Sequence, residues 1–314
     1  MSAAKAAGKE NLLLCLDAFG TLFTPSVPIP VAYARAAARH GIDCGKSKQG
    51  EVVGASFKQA FKEESKRNPN YGKATGLGAE KWWGNVIRNT FKTFLKPNQE
   101  FPQALVAELL KRYSTKEGYD LYDDVQPFFK MLRDEATRRT GSSPWIWDKT
   151  IVGIITNSDD RVPGILESFG LSIGPRRVGT ADQRSAKASF SDDINFVVLS
   201  YDVGIEKPDR RIFYATTETL KETLAGNQEG LTAEGFEKLY VGDDLEKDYD
   251  GAEAAGWNAV FLNRNMSTPE SNTEAESKWG LGNGEVEDRN GSRRTVLMAK
   301  SLGALSRWRA GNHD

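Results

Sequence analysis

Leu12-Leu13-Leu14-Cys15-Leu16 is a run of five apolar residues, broken off by Asp17 and then by Gly20. A strand with one face in water alternates apolar and polar residues. An unbroken run of strand length suits a strand buried on both faces, the situation of a parallel sheet covered by helices on either side. Similar runs occur at residues 151–156, 196–200 and 239–242, with a fifth candidate at 258–262. Helical stretches separate them, among them 208–224 and 246–255, the latter closed by Gly256 in a C-cap position. Strand alternating with helix predicts an α/β fold whose core is a doubly wound, Rossmann-like parallel sheet.

Residues 30–118 read differently. Pro30 opens a helix and Gly41 closes it. Trp83, Ile87, Phe91, Phe94 and Leu95 recur at helical spacing, as do Leu105, Leu109, Leu110 and Tyr113, and no convincing strand interrupts them. The expected organisation is therefore a core from residues 11–23 and 119–314, with residues 24–118 inserted as an all-helical cap domain. Polar segments at 138–149, 181–193 and 264–294 read as surface insertions, the last and longest as a mobile one.

Composition narrows the chemistry. The formal charge is −1 and the basic residues are scattered, so neither nucleic acid nor an acidic membrane is an expected partner. Met1 to Glu10 lacks the apolar stretch of a secretory signal, and no run is long enough to span a membrane. The expectation is a cytoplasmic or nuclear chain acting on a small molecule. Cys15 and Cys44 offer neither a disulfide framework nor a zinc site. The two histidines are His40, read as a solvated helix end, and His313, in the terminal tail. A Ser-His-Asp or Cys-His site needs a histidine held by a scaffold. Nucleophilic and acid–base work therefore falls to carboxylates, lysine and hydroxyls.

Open α/β sheets bind ligands beyond the carboxyl ends of their strands. After the first expected strand comes Asp17-Ala18-Phe19-Gly20-Thr21-Leu22, and after the second Thr156-Asn157-Ser158-Asp159. The third leads by a short loop to Lys207-Pro208-Asp209, and the fourth runs into Gly242-Asp243-Asp244 with Asp248 just beyond. A carboxylate, a hydroxyl, a lysine and a carboxylate cluster would converge at one edge. Adjacent carboxylates repel, and a hard cation with oxygen ligands relieves that repulsion. A lysine opposite them keeps a nucleophilic carboxylate ionised and binds an anion. Together they outline a phosphoryl-transfer site with an aspartyl-phosphate available to Asp17.

These segments, in this order, resemble the four motifs of the haloacid dehalogenase superfamily over residues 12–262. Asn68-Pro69-Asn70-Tyr71-Gly72 with Trp82-Trp83 resembles a eukaryotic branch of it. The resemblance implies a hydrolase in which Asp17 is nucleophile and metal ligand. The Phe19 carbonyl, Asp243 and Asp248 complete a Mg²⁺ site, while Thr156, Asn157 and Lys207 bind a small phosphorylated substrate. One position departs from the pattern. Superfamily phosphatases usually carry a second aspartate, the general acid, two residues after the nucleophile, and Phe19 stands there. Asp159 or an acid of the cap is a possible substitute. The same Asp-Ala-Phe-Gly-Thr-Leu resembles the 2-haloacid dehalogenase branch, which needs no metal. That branch carries an arginine about thirty residues past the nucleophile, where Lys48 is the nearest basic residue here. A binding protein that keeps the fold without the activity is a third reading.

Plainer readings apply elsewhere. Trp82 and Trp83 are expected as packing residues. Glu63-Glu64 and Lys66-Arg67 are expected as a solvated helix face.

Overall fold

The computed structural model describes residues 10–45, 50–138, 143, 145–188, 190–264 and 280–311. His313, Lys48 and residues 265–279 of the 264–294 segment lie outside them. The chain forms two compact units. One takes in the sheet and runs through Leu22, Tyr122–Asn157 and from Leu171 onward; the other is Phe23–Leu121 with Ser158–Gly170.

The sheet unit holds β1 (Asn11–Leu16), β4 (Thr150–Thr156), β5 (Ile173–Arg177), β6 (Ile194–Leu199), β7 (Phe236–Gly242), β8 (Asn258–Leu262), β9 (Leu281–Glu287) and β10 (Arg293–Ala299). Their order across the sheet is β5-β6-β4-β1-β7-β8-β10-β9, parallel throughout except for the antiparallel β10–β9 pair. This is the doubly wound α/β architecture. Leu12 to Leu16 are each fully buried, as a run without a polar face requires. The strands that follow β1 in the chain lie on one side of it as β4, β5 and β6 and on the other as β7 and β8. The switch point is thus at β1, and the carboxyl ends of β1 and β7 are neighbours, in register at Leu16 and Val241.

All five expected strands are present. The hairpin β9–β10 is not among them, and it shows that the 264–294 segment is not wholly an insertion. Leu281–Glu287 has no fully buried residue, only Val286 packing partly against the core, and its glycine and polar residues give no hydrophobic period that announces a strand. It is held by pairing along all of β10, whose Val296 to Ala299 are buried. The 138–149 and 181–193 segments are also less superficial than expected. Trp145 and Trp147 are buried, Trp147 stacked on Trp308 at 5.3 Å, and Asp193 is buried in an ion pair with Arg133.

The second unit carries a short antiparallel pair, β2 (Phe23–Pro25) with β3 (Tyr119–Leu121). Between them come α1 (Ile29–Arg39), α2 (Glu51–Arg67), α3 (Ala79–Phe91) and α4 (Gln103–Arg112), with no strand among the described residues. The unit also includes α6 (Val162–Ser168), from a segment that sequence reasoning leaves in the core; α5 (Val125–Thr137) and α7 (Arg210–Leu224) belong to the sheet unit. Two side chains differ from expectation because each has a polar partner on a neighbouring helix. Glu64 is fully buried, accepting amide hydrogens from Asn68 and Asn85 at 2.9 Å each. His40 is not a bare helix end, since its Nε2 lies 2.8 Å from Glu108, which also pairs with Arg39 and ties α1 to α4. Trp82 is core, packed edge-on to Trp83 at 4.9 Å.

Candidate functional site

Asp17 is the first residue past β1, and its backbone N–H donates to Val241 O at 2.9 Å, which seats it over the end of β7. Lys207 reaches it from the loop before α7: Nζ is 2.8 Å from Asp17 Oδ1, 2.6 Å from Asp248 Oδ1 and 2.6 Å from the Tyr240 hydroxyl. Three acceptors at these distances use all three ammonium hydrogens. Lys207 and Asp248 side chains are each 2% exposed. The Tyr240 hydroxyl in turn donates a hydrogen bond to Ile155 O at 2.7 Å. The lysine is thus fixed in position and in charge. Burial alone would drive its pKa down, but Asp17 and Asp248 more than offset that and raise it. It is a cation in this site and no base.

Asp243 follows β7 and receives the Thr21 hydroxyl at 3.2 Å. Gly20, at φ +77°, has no room for a side chain, because a Cβ there would overlap the Asp243 carboxylate. Gly242 is constrained in the same way by Asp248. The chain after Asp244 turns through a π-helical segment, Leu245–Asp250, whose N-terminus Asp244 caps by accepting from Glu246 and Lys247 N–H. Such turns recur at functional sites, and here the turn folds Asp248 back under Gly242, where its Oδ2 accepts the Asp244 N–H at 2.9 Å.

Carboxylate oxygens of Asp17, Asp243 and Asp248 lie within 4.8 Å of one another. Three carboxylates face one ammonium, so the cluster is short of positive charge. Burial first, then Asp248 and Asp243 nearby, push the Asp17 pKa up to about 6 in spite of Lys207. Burial and then Asp248 also raise that of Asp243. Hard oxygen donors crowded without enough countercharge fit a divalent cation such as Mg²⁺. Asp17 and Asp243 each use only one carboxylate oxygen in the hydrogen bonds described above. Asp248 has each oxygen already in a hydrogen bond and serves first to hold Lys207.

Thr156 ends β4, 2% exposed, and among the described residues its hydroxyl and Asp17 Oδ2 receive no hydrogen bond. Asn157, assigned from sequence to the substrate, uses its amide differently. Its Oδ1 accepts Lys207 N–H at 2.7 Å and its Nδ2 donates to Lys207 O at 2.9 Å, clamping the lysine's backbone. Asp159, the suggested substitute acid, lies in the second unit with both oxygens taken: Arg161 holds it through Nε and Nη2, each at 2.8 Å, and Trp83 Nε1 donates to it at 2.8 Å. Sequence reasoning missed Tyr240 entirely. Its one signal is that the two-residue strand period places it on the same face as Gly242.

The chain matches a known family. The family model for haloacid dehalogenase-like hydrolases matches residues 13–256, and the chain belongs to that family: it is a hydrolase of the haloacid dehalogenase type. An uncharacterized hydrolase of Schizosaccharomyces pombe is 30% identical over 79% of this chain and 89% of its own length. Human haloacid dehalogenase-like hydrolase domain-containing protein 3 is 26% identical over 80% and 81%. Among solved structures, a 2-haloacid dehalogenase from Pseudomonas syringae pv. Tomato DC3000 aligns at 16% identity and TM-score 0.48, covering 95% of this chain and 99% of that one.

Proposed function

We propose that this hydrolase is a Mg²⁺-dependent phosphatase of a small phosphorylated metabolite, working through a phosphoryl group on Asp17. The observation that carries the reading is the charge imbalance, three clustered carboxylates against one lysine. A cation is needed to complete such a site. Asp17, Asp243 and the Phe19 carbonyl would hold it. When bound it neutralises charge on the transferring group.

The protein's own residues supply the rest. Lys207 Nζ and the Thr156 hydroxyl bind phosphoryl oxygens and stabilise their charge. Asp17 Oδ2 attacks phosphorus; the P–O bond to the leaving group breaks, and its oxygen departs with the bond's electron pair. Water then attacks the aspartyl-phosphate, releasing inorganic phosphate and the free carboxylate. No side chain at position 19 can protonate the leaving oxygen, which on this reading takes its proton from solvent. General acid help is typically worth ~10²–10⁴-fold. Substrates should therefore rank by leaving-group acidity, with acyl and aryl phosphates ahead of sugar and alkyl phosphates.

The same imbalance disfavours 2-haloacid dehalogenation, in which a substrate carboxylate would enter beside three others. The test is a panel of phosphorylated metabolites, acetyl phosphate, p-nitrophenyl phosphate and 2-chloropropionate, each with Mg²⁺ and with excess EDTA. Phosphate release that needs Mg²⁺ is expected. Full turnover in EDTA, or halide release in place of phosphate release, would overturn the reading.

A further inference from the structure

The chain leaves the sheet unit after Leu22 and returns to it at Tyr122. Tyr122 N–H donates to Leu22 O at 3.0 Å, so departure and return are joined by a main-chain bond. Arg264, two residues past the end of β8, grips both. Its Nη2 donates to Thr21 O at 2.6 Å and its Nη1 to Asp124 Oδ1 at 2.8 Å, while Cζ lies 3.8 Å from the centroid of the Tyr122 ring. The other Asp124 oxygen accepts the Leu302 N–H at 2.7 Å. A planar guanidinium can bind a carbonyl and a carboxylate at divergent angles and still offer its face to a ring; an ammonium cannot.

A fold staple would need no particular partner. What Arg264 holds here is the main chain of Thr21, which is fully buried and donates its hydroxyl to Asp243. The residue before it is Gly20, whose missing side chain is the space the Asp243 carboxylate occupies. Displacing Thr21 therefore displaces the hydrogen bond and the cradle of Asp243 together. A connected path runs from Leu302 N–H through Asp124, Arg264 and Thr21 to the Asp243 carboxylate.

We propose that Arg264 is a positioning residue for the cation site, acting through Thr21 on Asp243 without touching the ion. The inference rests on the reading that Asp17 and Asp243 bind a divalent cation. Losing an outer partner of a metal ligand typically weakens metal affinity ~10–100-fold.

The experiment is calorimetric titration of Mg²⁺ into the full chain for wild type, Arg264→Met, Arg264→Lys and Asp124→Asn, each checked by circular dichroism for native structure. Expected is binding by wild type, a 10–100-fold loss in Arg264→Met, and smaller losses in the same direction in Arg264→Lys and Asp124→Asn. Lysine keeps the charge without the fork, and asparagine keeps an acceptor without the charge. If wild type binds no Mg²⁺, the cation reading falls and takes this inference with it. If wild type binds and the folded variants bind equally well, however lowered their melting temperatures, Arg264 is a staple only and the inference alone is overturned. Should Arg264→Met fail to fold, Arg264→Lys and Asp124→Asn decide by the same criterion.

Discussion

Two buried ionic groups in this chain are built on opposite plans. In the second unit Arg161 and Asp159 balance one to one: the carboxylate has two guanidinium bonds, the Arg161 N–H at 3.1 Å and the Trp83 indole, and the guanidinium lies 4.7 Å from the Trp83 ring centroid. In the sheet unit Lys207 faces Asp17 and Asp248 directly, with Asp243 beside them, and Asp17 Oδ2 receives no hydrogen bond among the described residues. Burying a charge is costly unless it is paired and hydrogen-bonded. A closed pair meets that condition by itself and does structural work. An open cluster meets it only with something added, and perturbed, incompletely compensated groups of this kind gather at functional sites.

The largest effect should come from opening the cluster at its centre. Asp17→Asn removes the proposed nucleophile and should reduce phosphate release to the background of the assay for every substrate, with the melting temperature kept or raised. Raised is the expected direction, because the amide no longer carries a charge that burial penalises. Residual turnover of any phosphate ester at a rate near wild type would move the nucleophile elsewhere. Next in size is Phe19→Asp, which adds the acid the site lacks. It should speed alkyl and sugar phosphates by up to ~10²–10⁴-fold and aryl phosphates much less, flattening the leaving-group dependence. A wild type already indifferent to leaving group, unchanged by the substitution, would mean that another residue supplies the proton.

The open cluster was largely legible in the sequence and the closed pair was not. Asp17, Thr156 and Asp243 each terminate or directly follow an apolar run, and a parallel sheet brings such ends to one edge whatever the loops do. Lys207 is reached by order alone. The finer contacts are not legible where a residue's partner is remote. Asn157 clamps a backbone fifty positions on, which no local pattern encodes. Tyr240 hides a hydroxyl inside a strand that reads as apolar. Asp159 looks like a spare acid until Arg161 and Trp83, the latter 76 positions away, are seen to use both its oxygens. β9 escaped for a different reason: this edge strand has no fully buried residue and no hydrophobic period to read.

The two ionic groups should also part company when each loses its cation. Removing one partner of a buried pair costs ~3–5 kcal/mol, because the other charge is left uncompensated. Arg161→Met and Lys207→Met should each destabilise on that scale in urea denaturation. Mg²⁺ should restore part of the loss in Lys207→Met, where a cation site adjoins the orphaned carboxylates. In Arg161→Met it should add no more than it adds to wild type. In parallel, Asp159→Asn should leave the leaving-group dependence unchanged, since a carboxylate spent on Arg161 and Trp83 donates no proton. Equal rescue of both lysine and arginine variants by Mg²⁺ would erase the distinction drawn between the clusters.

The smallest expected effect is a pH dependence. The Asp17 pKa in the folded chain is pushed up to about 6 by burial, against ~3.9 for an unfolded aspartate. Between those values the folded state binds the proton more tightly than the unfolded state does. That contribution to stability is fully present below about pH 4 and is lost as pH rises through the folded value near 6. Asp243, raised mainly by its own burial, acts in the same direction. Without a divalent cation the cluster should therefore become less favourable on going from pH 5 to pH 7.5. Mg²⁺ binds the ionised carboxylates, so its stabilisation should run the other way and grow over the same interval. At a hundredfold excess over the dissociation constant a ligand adds about 2.7 kcal/mol, a few degrees in melting temperature for a chain of this size. Melting curves at pH 5 and 7.5, with Mg²⁺ and with EDTA, measure the increment directly. An increment equal at both pH values, or larger at pH 5, would mean that these carboxylates are not what the ion binds.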